Sequence, residues 1–348
     1  MNIAEIDKNF QEQYSLDGLK THSIEQPPFR LFGLCREAGE RDYKRLPHAV
    51  VEAIGNTGYK SLYKNTSGIR LRFKTNSRRI VLTCQLPGFT RHDNMPRTGS
   101  SCFDLYADGH YCKVFRPGTD LSGTYSSEHK FEDRKMRDIL INFPLYNPVD
   151  AVYISLEEDA DILPCDDYRQ QKPTVYYGSS ITQGGCASHP GNCYCAMISQ
   201  RMDADYVNLG FSGSAKAEPG MADYIGSLDM HAFVYDYDYN APTVEHLQQT
   251  HEAFFKGFRS HQPTTPVIMV SAANLVDNSE EITQQRRDII RTTYENALAA
   301  GDKNVYFIDG SEIYKAVGLD LCTVDCVHPN DLGFLCMANS IGAVLEKL

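Results

Sequence analysis

From residue 173 onward the sequence alternates short apolar segments with amphipathic stretches, and this alternation constrains the fold more than any other feature. The apolar segments lie at residues 174–177, 206–209, 232–235, 267–270 and 305–308. One helix is predicted from residues that recur on a single helical face, namely Leu247, His251, Phe254, Phe255 and Phe258. A second helix is predicted over residues 282–298. Apolar strands alternating with helices predict a parallel sheet covered on both faces, so we expect an α/β domain over residues 173–348.

The residues before about 170 show a different pattern, in which apolar residues alternate in short runs broken by turn signals. These runs cover residues 69–73, 79–86, 103–107, 111–115, 139–143 and 151–156. Asp108-Gly109 joins two of them, and this dipeptide favours a type I′ turn because both central residues need a positive φ. We therefore predict a β-sandwich of jelly-roll type over residues 25–165. Residues 1–24 are expected to form an irregular or weakly helical extension, and residues 159–172 a linker.

Charge and composition exclude several classes of partner. The chain has 348 residues and a net charge of -11, which repels phosphate backbones and anionic lipid. We therefore predict no binding to nucleic acid or membranes. The densest basic cluster, Arg286, Arg287 and Arg291, has helical spacing and is expected on a solvated helix face. The 11 cysteines and the lack of a signal peptide or membrane span predict a cytoplasmic protein with reduced thiols.

Ligands of open α/β sheets bind beyond the carboxyl ends of the strands, so the residues that follow each strand are the candidates. The glycine-rich segment GSSITQGG at 178–185 lacks the P-loop and dinucleotide-binding patterns, and it presents Ser180 as an activated hydroxyl or a turn residue. Gly210 follows the second strand and either exposes its N–H to a ligand or forms a simple turn. Asp236, Asp238 and Asn240 follow the third strand. The two aspartates suit a cation, and Asn240 suits a helix cap or turn.

Asp325 and His328 lie near the C-terminus, three residues apart. An aspartate at this spacing can accept the Nδ1–H of the ring and leave Nε2 free to act as a base. A parallel sheet brings these residues and Ser180 to the same edge. The polar loop at residues 91–101 is long enough to reach that edge, and its alternative role is that of a solvated loop between strands.

In this order the motifs resemble those of the SGNH, or GDSL-like, hydrolases. Ser180 matches the nucleophile of the Gly-Asp-Ser block, and Ser179 stands where the family usually has aspartate. The other matches are Gly210 for the second-block glycine, Asn240 for the third-block asparagine, and Asp325 with His328 for the final Asp-x-x-His. The segment CFDLY at 102–106 is similar to the Gly-x-Asp-Leu-Tyr signature of a sandwich domain that precedes one SGNH subgroup, with cysteine in place of the glycine.

The resemblance implies a three-layer, flavodoxin-like catalytic domain and a serine esterase that removes short acyl groups, typically acetyl, from a carbohydrate. It implies Ser180 as nucleophile, His328 as base and Asp325 as the residue that orients the base. The backbone N–H groups of Ser180 and Gly210 and the amide of Asn240 would form the oxyanion hole. We also consider Ser179, Asp236 and Asp238 as substrate-binding residues. This mechanism needs no metal or organic cofactor, and a homo-oligomer is compatible with the sequence.

Three alternatives remain open from the sequence. The chain could be a non-catalytic carbohydrate-binding protein with a relic hydrolase site. It could instead be a short-chain lipase or a thioesterase; the lack of a long apolar lid argues against a long-chain lipase. A metal site built from Cys186, His189, Cys193 and Cys195 is the third alternative, although this spacing is not a usual zinc pattern.

Overall fold

The first half of the chain consists mainly of strands, and strands alternate with helices in the second half, as the two sequence patterns predict. The computed structural model describes residues 15–36, 40–118, 123–275 and 279–348. Its strands are β1 (Leu19–Ser23), β2 (Arg30–Phe32), β3 (Arg70–Thr75), β4 (Arg79–Gln85), β5 (Phe103–Ala107), β6 (His110–Phe115), β7 (Thr124–Lys130), β8 (Arg137–Asn142), β9 (Ala151–Glu157), β10 (Ile162–Leu163), β11 (Gln170–Gly178), β12 (Ala204–Gly210), β13 (Ala232–Asp236), β14 (Val267–Val270) and β15 (Val305–Ile308).

The helices concentrate in the second half of the chain. They are α1 (His48–Ile54), α2 (Thr57–Leu62), α3 (Arg97–Ser100), α4 (Ser180–Gln183), α5 (Tyr194–Met202), α6 (Pro219–Gly226), α7 (Val244–His261), α8 (Glu280–Ala299), α9 (Gly310–Ile313), α10 (Leu319–Cys322) and α11 (Asp331–Leu345). Two 3₁₀ turns cover Pro190–Asn192 and Asp238–Asn240. Across the described ranges, no helix combines the length and the apolar character needed to cross a membrane.

The C-terminal half forms a parallel sheet of five strands in the order β12-β11-β13-β14-β15, which confirms the predicted α/β fold. Helices α6, α7 and α8 pack on one face of the sheet, and α5 and α11 pack on the other. The register places Gly178 at the end of β11 beside Gly210 of β12 and Asp236 of β13. The segments that follow these three strands therefore begin at one level of the same sheet edge.

The N-terminal half contains two antiparallel sheets, β1-β9-β4-β7 and β10-β3-β8-β5-β6, with β2 paired to β3. Side chains from both sheets share one core, for example Phe73 and Ile139 from one and Leu82 and Ile154 from the other. This arrangement is the predicted sandwich. The predicted hairpin turn is also present, with positive φ angles of 51° at Asp108 and 77° at Gly109.

Four strands differ from the sequence prediction. Arg30–Phe32 and Ile162–Leu163 are short strands that pair with β3, and the second of them lies within the residues 159–172 expected as a linker. Leu19–Ser23 is a strand paired to β9, so the irregular conformation expected for residues 1–24 is wrong at its C-terminal end. Residues 1–14 of that predicted extension lie outside the described residues. Thr124–Lys130 is a further strand, and its polar sequence hides it because only alternate side chains, such as Tyr125 and Ser127, are buried. An edge strand with one solvated face needs little apolar sequence.

A buried arginine joins the two halves of the molecule. Arg45 donates to the carbonyls of Leu62 at 2.9 Å and Asn65 at 2.7 Å, and to the carbonyl of Gly210 at 2.6 Å. Its guanidinium carbon lies 4.4 Å from the centre of the Phe211 ring. Burial lowers the pKa of Arg45 to about 9, so the side chain is still charged at neutral pH. The acceptors of this buried cation are backbone carbonyls at residues 62–65 and at the end of β12, which are far apart in sequence.

We predict that Arg45→Met lowers the free energy of unfolding by more than about 2 kcal/mol, because it leaves several buried carbonyls without a donor. Arg91→Met is the matched control, since Arg91 is exposed and should tolerate the change. Urea unfolding of both variants measures the effect. Equal stability of the two variants would contradict this role for Arg45.

Candidate active site

Ser180 begins a short helix directly beyond the carboxyl end of β11. The side chain of Ser179 caps this helix by accepting the backbone N–H of Ile181 at 3.1 Å. Gly184 ends the helix with a φ of +102°, a conformation that favours glycine. From the sandwich domain, the Tyr146 hydroxyl donates to the carbonyl of Ser180 at 2.9 Å. The turn that carries Ser180 is therefore fixed from both domains.

His328 and Asp325 lie on the loop between α10 and α11. His328 Nε2 is 2.9 Å from Ser180 Oγ, and its Nδ1 is 2.8 Å from Asp325 Oδ2. The backbone N–H of His328 donates to Asp325 Oδ1 at 2.8 Å, which closes a tight turn around the carboxylate. The structure thus brings together the three residues that the sequence singled out. Such a chain of hydrogen bonds can take a proton from the serine hydroxyl and hold the resulting imidazolium.

The Asp325 carboxylate is held in its charged form. Partial burial opposes ionisation, but the backbone N–H of His328, the Asn94 amide and the His328 ring together keep the pKa of Asp325 well below its ordinary value. Asn94 belongs to the sandwich domain, and its Nδ2 donates to Asp325 Oδ2 at 2.9 Å. From the sequence, the loop at 91–101 could either reach the site or remain solvated. The contact of Asn94 with Asp325 was not predicted.

Gly210 does not provide the oxyanion donor that the resemblance implied. Its N–H donates to Asn208 Oδ1 at 2.9 Å, so it is already engaged inside the domain. A Cβ at Gly210 would lie 2.2 Å from the backbone nitrogen of Gln183, so a glycine is needed here for β12 to approach α4. The assignment of Gly210 to the oxyanion hole is therefore wrong, and close packing explains this residue.

Gly213, three residues further on, occupies the position that was expected of Gly210. It lines the cavity beside Ser180 and Asn240, with a φ of +63° and open space where a Cβ would lie. In the described part of the chain, no protein acceptor takes its backbone N–H, nor that of Ser180. The signal in the sequence is the second glycine of NLGFSG at 208–213. The first glycine, Gly210, was predicted as the oxyanion donor instead.

Asn240 ends the 3₁₀ turn at Asp238–Asn240 and lines the same cavity. Its Nδ2 donates to the carbonyl of Phe211 at 2.9 Å, which leaves the second hydrogen of the amide for another acceptor. The cap of α7 is Thr243, whose hydroxyl accepts the N–H of His246 at 3.1 Å. Asn240 is therefore not the helix cap, and its amide is oriented by the loop that contains Gly213.

The other three predicted substrate contacts are buried away from the cavity. Ser179 serves as a helix cap, and Asp236 Oδ2 accepts the Thr182 hydroxyl at 3.3 Å in the interior. Asp238 Oδ1 accepts Arg286 Nε at 3.0 Å. The substrate-binding roles expected of Ser179, Asp236 and Asp238 are therefore wrong. The cation that Asp238 binds is Arg286.

This buried ion pair also corrects the solvated face expected for the arginine cluster. Arg286 is 4% exposed, so it faces inward from α8. Arg287 and Arg291 each pair with Asp309, at 3.0 Å and 2.8 Å. Helical spacing alone did not distinguish an arginine turned toward a buried carboxylate from one turned toward solvent.

The residues of the alternative metal site have other partners. His189 Nδ1 lies 2.7 Å from Asp104 Oδ2, at the contact between the two domains. Cys193 and Cys195 are fully buried, and both belong to the apolar core under α5. In the ranges that the structure describes, no three His, Cys, Asp or Glu side chains are grouped to hold a metal ion. The 11 cysteines are free thiols.

A cavity of about 780 Å³ opens beside the Ser180–His328 pair. One part of its wall is polar and includes Ser212, Asn240, Glu245 and Gln285. Another part is apolar and includes Pro242, Val244, Leu275 and Ile282. The cavity therefore offers both hydrogen-bonding groups and apolar surface to a ligand next to the serine hydroxyl.

Comparisons with known proteins agree with this architecture. Residues 171–346 match the model of the GDSL-like Lipase/Acylhydrolase family, and residues 21–162 match that of the GxDLY family, the N-terminus of SGNH_hydro-type esterases. A GDSL-like lipase from Bacteroides ovatus is 26% identical, with a TM-score of 0.83 over 94% of this chain and 97% of that one. No curated protein matches the chain.

Two further solved structures share the fold at lower identity. The salicylyl-acyltransferase SsfX3 from a tetracycline biosynthetic pathway is 19% identical, with a TM-score of 0.77 over 95% of this chain and 98% of that one. An acetyl xylan esterase from the rumen bacterium Butyrivibrio proteoclasticus is 12% identical, with a TM-score of 0.57 over 94% and 98%. Both matches extend over the sandwich and the α/β domain together.

The buried Asp236 carboxyl makes the stability of the folded protein depend on pH. Burial raises the pKa of Asp236 to about 8 from an ordinary value of 3.8, and its Oδ1 has no protein partner among the described residues. Between these pH values the folded state keeps a proton that the unfolded state releases, so wild-type stability falls as pH rises. We predict that Asp236→Asn removes this loss, by up to about 1.4 kcal/mol per pH unit.

The measurement is urea unfolding of wild type and variant at several pH values from 4 to 9. The advantage of the variant should grow up to about pH 8 and remain constant above it, because Asp236 is then ionised in both states. Asp229→Asn is the control, since this exposed residue pairs with Lys172 at the surface. A stability difference that does not change with pH would refute a protonated Asp236.

Proposed function

We propose that this chain, which belongs to the GDSL-like lipase/acylhydrolase family, is a serine esterase that removes short acyl groups from a carbohydrate. The family comprises hydrolases of ester bonds. The observation that carries the proposal is the hydrogen-bonded series Ser180 Oγ, His328 Nε2, His328 Nδ1 and Asp325 Oδ2, with separations of 2.9 Å and 2.8 Å at the edge of an open cavity.

In the proposed reaction Ser180 Oγ attacks the ester carbonyl carbon and its proton passes to His328 Nε2. The tetrahedral intermediate then breaks its bond to the alcohol oxygen, which leaves with the proton from His328. A water molecule next gives a proton to His328 and attacks the acyl carbon. Ser180 Oγ departs and regains its proton. Asp325 holds the imidazole ring in the tautomer that presents a free Nε2 and stabilises the imidazolium between the steps.

The oxyanion would accept hydrogen bonds from the backbone N–H groups of Ser180 and Gly213 and from the Asn240 amide. All three residues line the cavity, and the two N–H groups have no protein acceptor in the described part of the chain. Each donor of this kind contributes about 3–4 kcal/mol to transition-state stabilisation. This assignment supports Ser180 as nucleophile because the three donors lie in the same cavity as its hydroxyl.

Two observations support a small acyl group on a carbohydrate. The polar wall formed by Ser212, Glu245 and Gln285 offers hydrogen-bonding partners for sugar hydroxyls. The acetyl xylan esterase named above shares the whole two-domain fold, which makes an acetylated sugar the first substrate to test. The apolar wall residues Pro242 and Val244 suit the alkyl part of an acyl group or the face of a sugar ring.

We predict that Ser180→Ala and His328→Ala each lower kcat on p-nitrophenyl acetate on the order of 10⁶-fold, because nucleophile and base act as a unit. Ser227→Ala is the control, since it removes an exposed hydroxyl from a residue that does not line the cavity. Its kcat should stay within roughly 10-fold of wild type. Full activity of the Ser180→Ala protein would refute the mechanism.

For the acyl group we predict faster hydrolysis of acetyl esters than of octanoyl esters, and measurable release of acetate from acetylated oligosaccharides. The measurement is kcat/KM over a p-nitrophenyl series of increasing chain length, followed by assays of acetate release from acetylated xylan fragments. A preference for the octanoyl ester would refute the deacetylase assignment and favour a lipase.

A further inference from the structure

One loop of the sandwich domain enters the catalytic edge of the α/β domain. It connects β4 to β5, contains α3, and carries Asn94. The Nδ2 of Asn94 donates to Asp325 Oδ2 at 2.9 Å, the same oxygen that lies 2.8 Å from His328 Nδ1. The other carboxylate oxygen, Oδ1, accepts the backbone N–H groups of His328 at 2.8 Å and Val327 at 3.2 Å. Of the two described side chains that bond Asp325, His328 is near it in sequence and Asn94 comes from the sandwich.

The loop is fixed on the sandwich side. The Thr90 N–H donates to Asn147 Oδ1 at 2.8 Å, and the Thr90 hydroxyl donates to the carbonyl of Tyr146 at 2.8 Å. At the other end, the N–H of Tyr146 donates to the carbonyl of Ser100 at 2.9 Å. The ring of His92 lies 5.2 Å from that of Tyr146, in an edge-to-face arrangement. The segment that carries Asn94 is therefore anchored rather than a solvated loop.

It is also anchored against the segment that follows the nucleophile helix. A Cβ at Gly99 of α3 would lie 2.0 Å from the carbonyl oxygen of Ala187, so the two backbones are in direct contact. A Cβ at Gly185 would lie 3.1 Å from the terminal methyl of Met95. The Asn94 amide thus reaches Asp325 from a support that contacts the segment following Ser180.

We propose that Asn94 is a positioning residue of the esterase site, acting through Asp325 to set the orientation and basicity of His328. The proposal rests on the function proposed above. The sandwich domain would then complete the catalytic machinery by supplying a neutral hydrogen-bond donor to the carboxylate that orients the base.

Asn94 and His328 bond the same oxygen atom, Asp325 Oδ2. Asp325 Oδ2 shares its negative charge between the Asn94 amide and the ring N–H of His328. Without Asn94, Asp325 Oδ2 loses one of the two hydrogen bonds that it accepts. Its negative charge then interacts more strongly with the imidazolium form of His328. The variant should therefore position His328 less well, and the pH below which the reaction loses its rate should rise.

Other titratable groups lie near the Asn94–Asp325 pair. His92 is two residues before Asn94, and burial lowers the pKa of its ring. The Cys186 thiol faces Asp325, and burial raises its pKa to about 12, so it is neutral at working pH. Asp331, at the start of α11, accepts the Ser188 hydroxyl at 2.5 Å and the Asn192 amide at 2.9 Å. Cys326 and Asp93 are the sequence neighbours of Asp325 and Asn94, and neither is altered in the variants below.

The test is the rate at which a fluorophosphonate labels Ser180 in the full chain, measured by peptide mass at a series of pH values. In this reaction Ser180 Oγ bonds to phosphorus, fluoride leaves, and the serine proton passes to His328. Asn94→Ala should label roughly 10- to 100-fold more slowly at the optimum, with its acidic midpoint moved to higher pH. Asn94→Asp should move the midpoint further in the same direction, because its carboxylate adds negative charge beside Asp325.

Thr98→Ala, a small polar change on the same loop, is the control and should match wild type in rate and midpoint. Wild-type rate and midpoint in both Asn94 variants would overturn the inference while leaving the esterase proposal intact. A lower thermal midpoint with slower labelling but no shift of the pH midpoint would also overturn it, because it would show a packing role only. Failure of the wild-type chain to label at Ser180 would overturn the esterase proposal and this inference together.

Discussion

A charged guanidinium buried between residues 62–65 and the end of β12 is the interaction on which the rest of the structure depends. Among the described residues, Arg45 has no carboxylate as a hydrogen-bond partner, and it donates to the carbonyls of Leu62, Asn65 and Gly210. A buried cation needs most of its donors satisfied, because each unsatisfied polar group costs about 1–3 kcal/mol. The strand that ends at Gly210 can therefore occupy one position relative to the sandwich, and the nucleophile turn packs directly on that glycine.

Other contacts extend this constraint to the whole catalytic edge. The Ser67 hydroxyl donates to the carbonyl of Gln183 at 2.6 Å, and the Gln183 side chain in turn accepts the N–H of Ser212 at 3.0 Å. Asp104 of the CFDLY segment accepts the N–H of Gly191 at 2.6 Å. The sandwich thus holds the helix that carries Ser180, the loop that carries Gly213 and the segment that follows the helix. The two domains form one support for the site.

Much of this architecture could be predicted from the sequence, because local pattern and burial agree there. The apolar runs at 267–270 and 305–308 are strands with those bounds. All four side chains of β14 are buried, so no polar position obscures that strand. Ser180, Asp325 and His328 could be placed together because the carboxyl ends of parallel strands share an edge.

The misplaced residues depend on tertiary contacts that no local pattern encodes. Gly210 and Gly213 both follow β12, and only the packing of α4 shows which of them is needed for close approach. Arg286 has the spacing of a surface residue, yet it turns inward because Asp238 is buried opposite it. Asn94 is 231 residues away from Asp325 in sequence, and a single amide on a polar loop gives no signal of that contact.

The central claim, that Ser180 is the nucleophile of an ester hydrolase, is tested most directly by trapping the acyl-enzyme. The wild-type chain would be mixed with p-nitrophenyl acetate, quenched in acid within milliseconds, digested and examined by peptide mass spectrometry. The account predicts a transient acetyl group on the peptide that contains residues 178–185, located on Ser180 by fragmentation. Acetyl on a different residue, or release of acetate with no acetylated intermediate at Ser180, would contradict it.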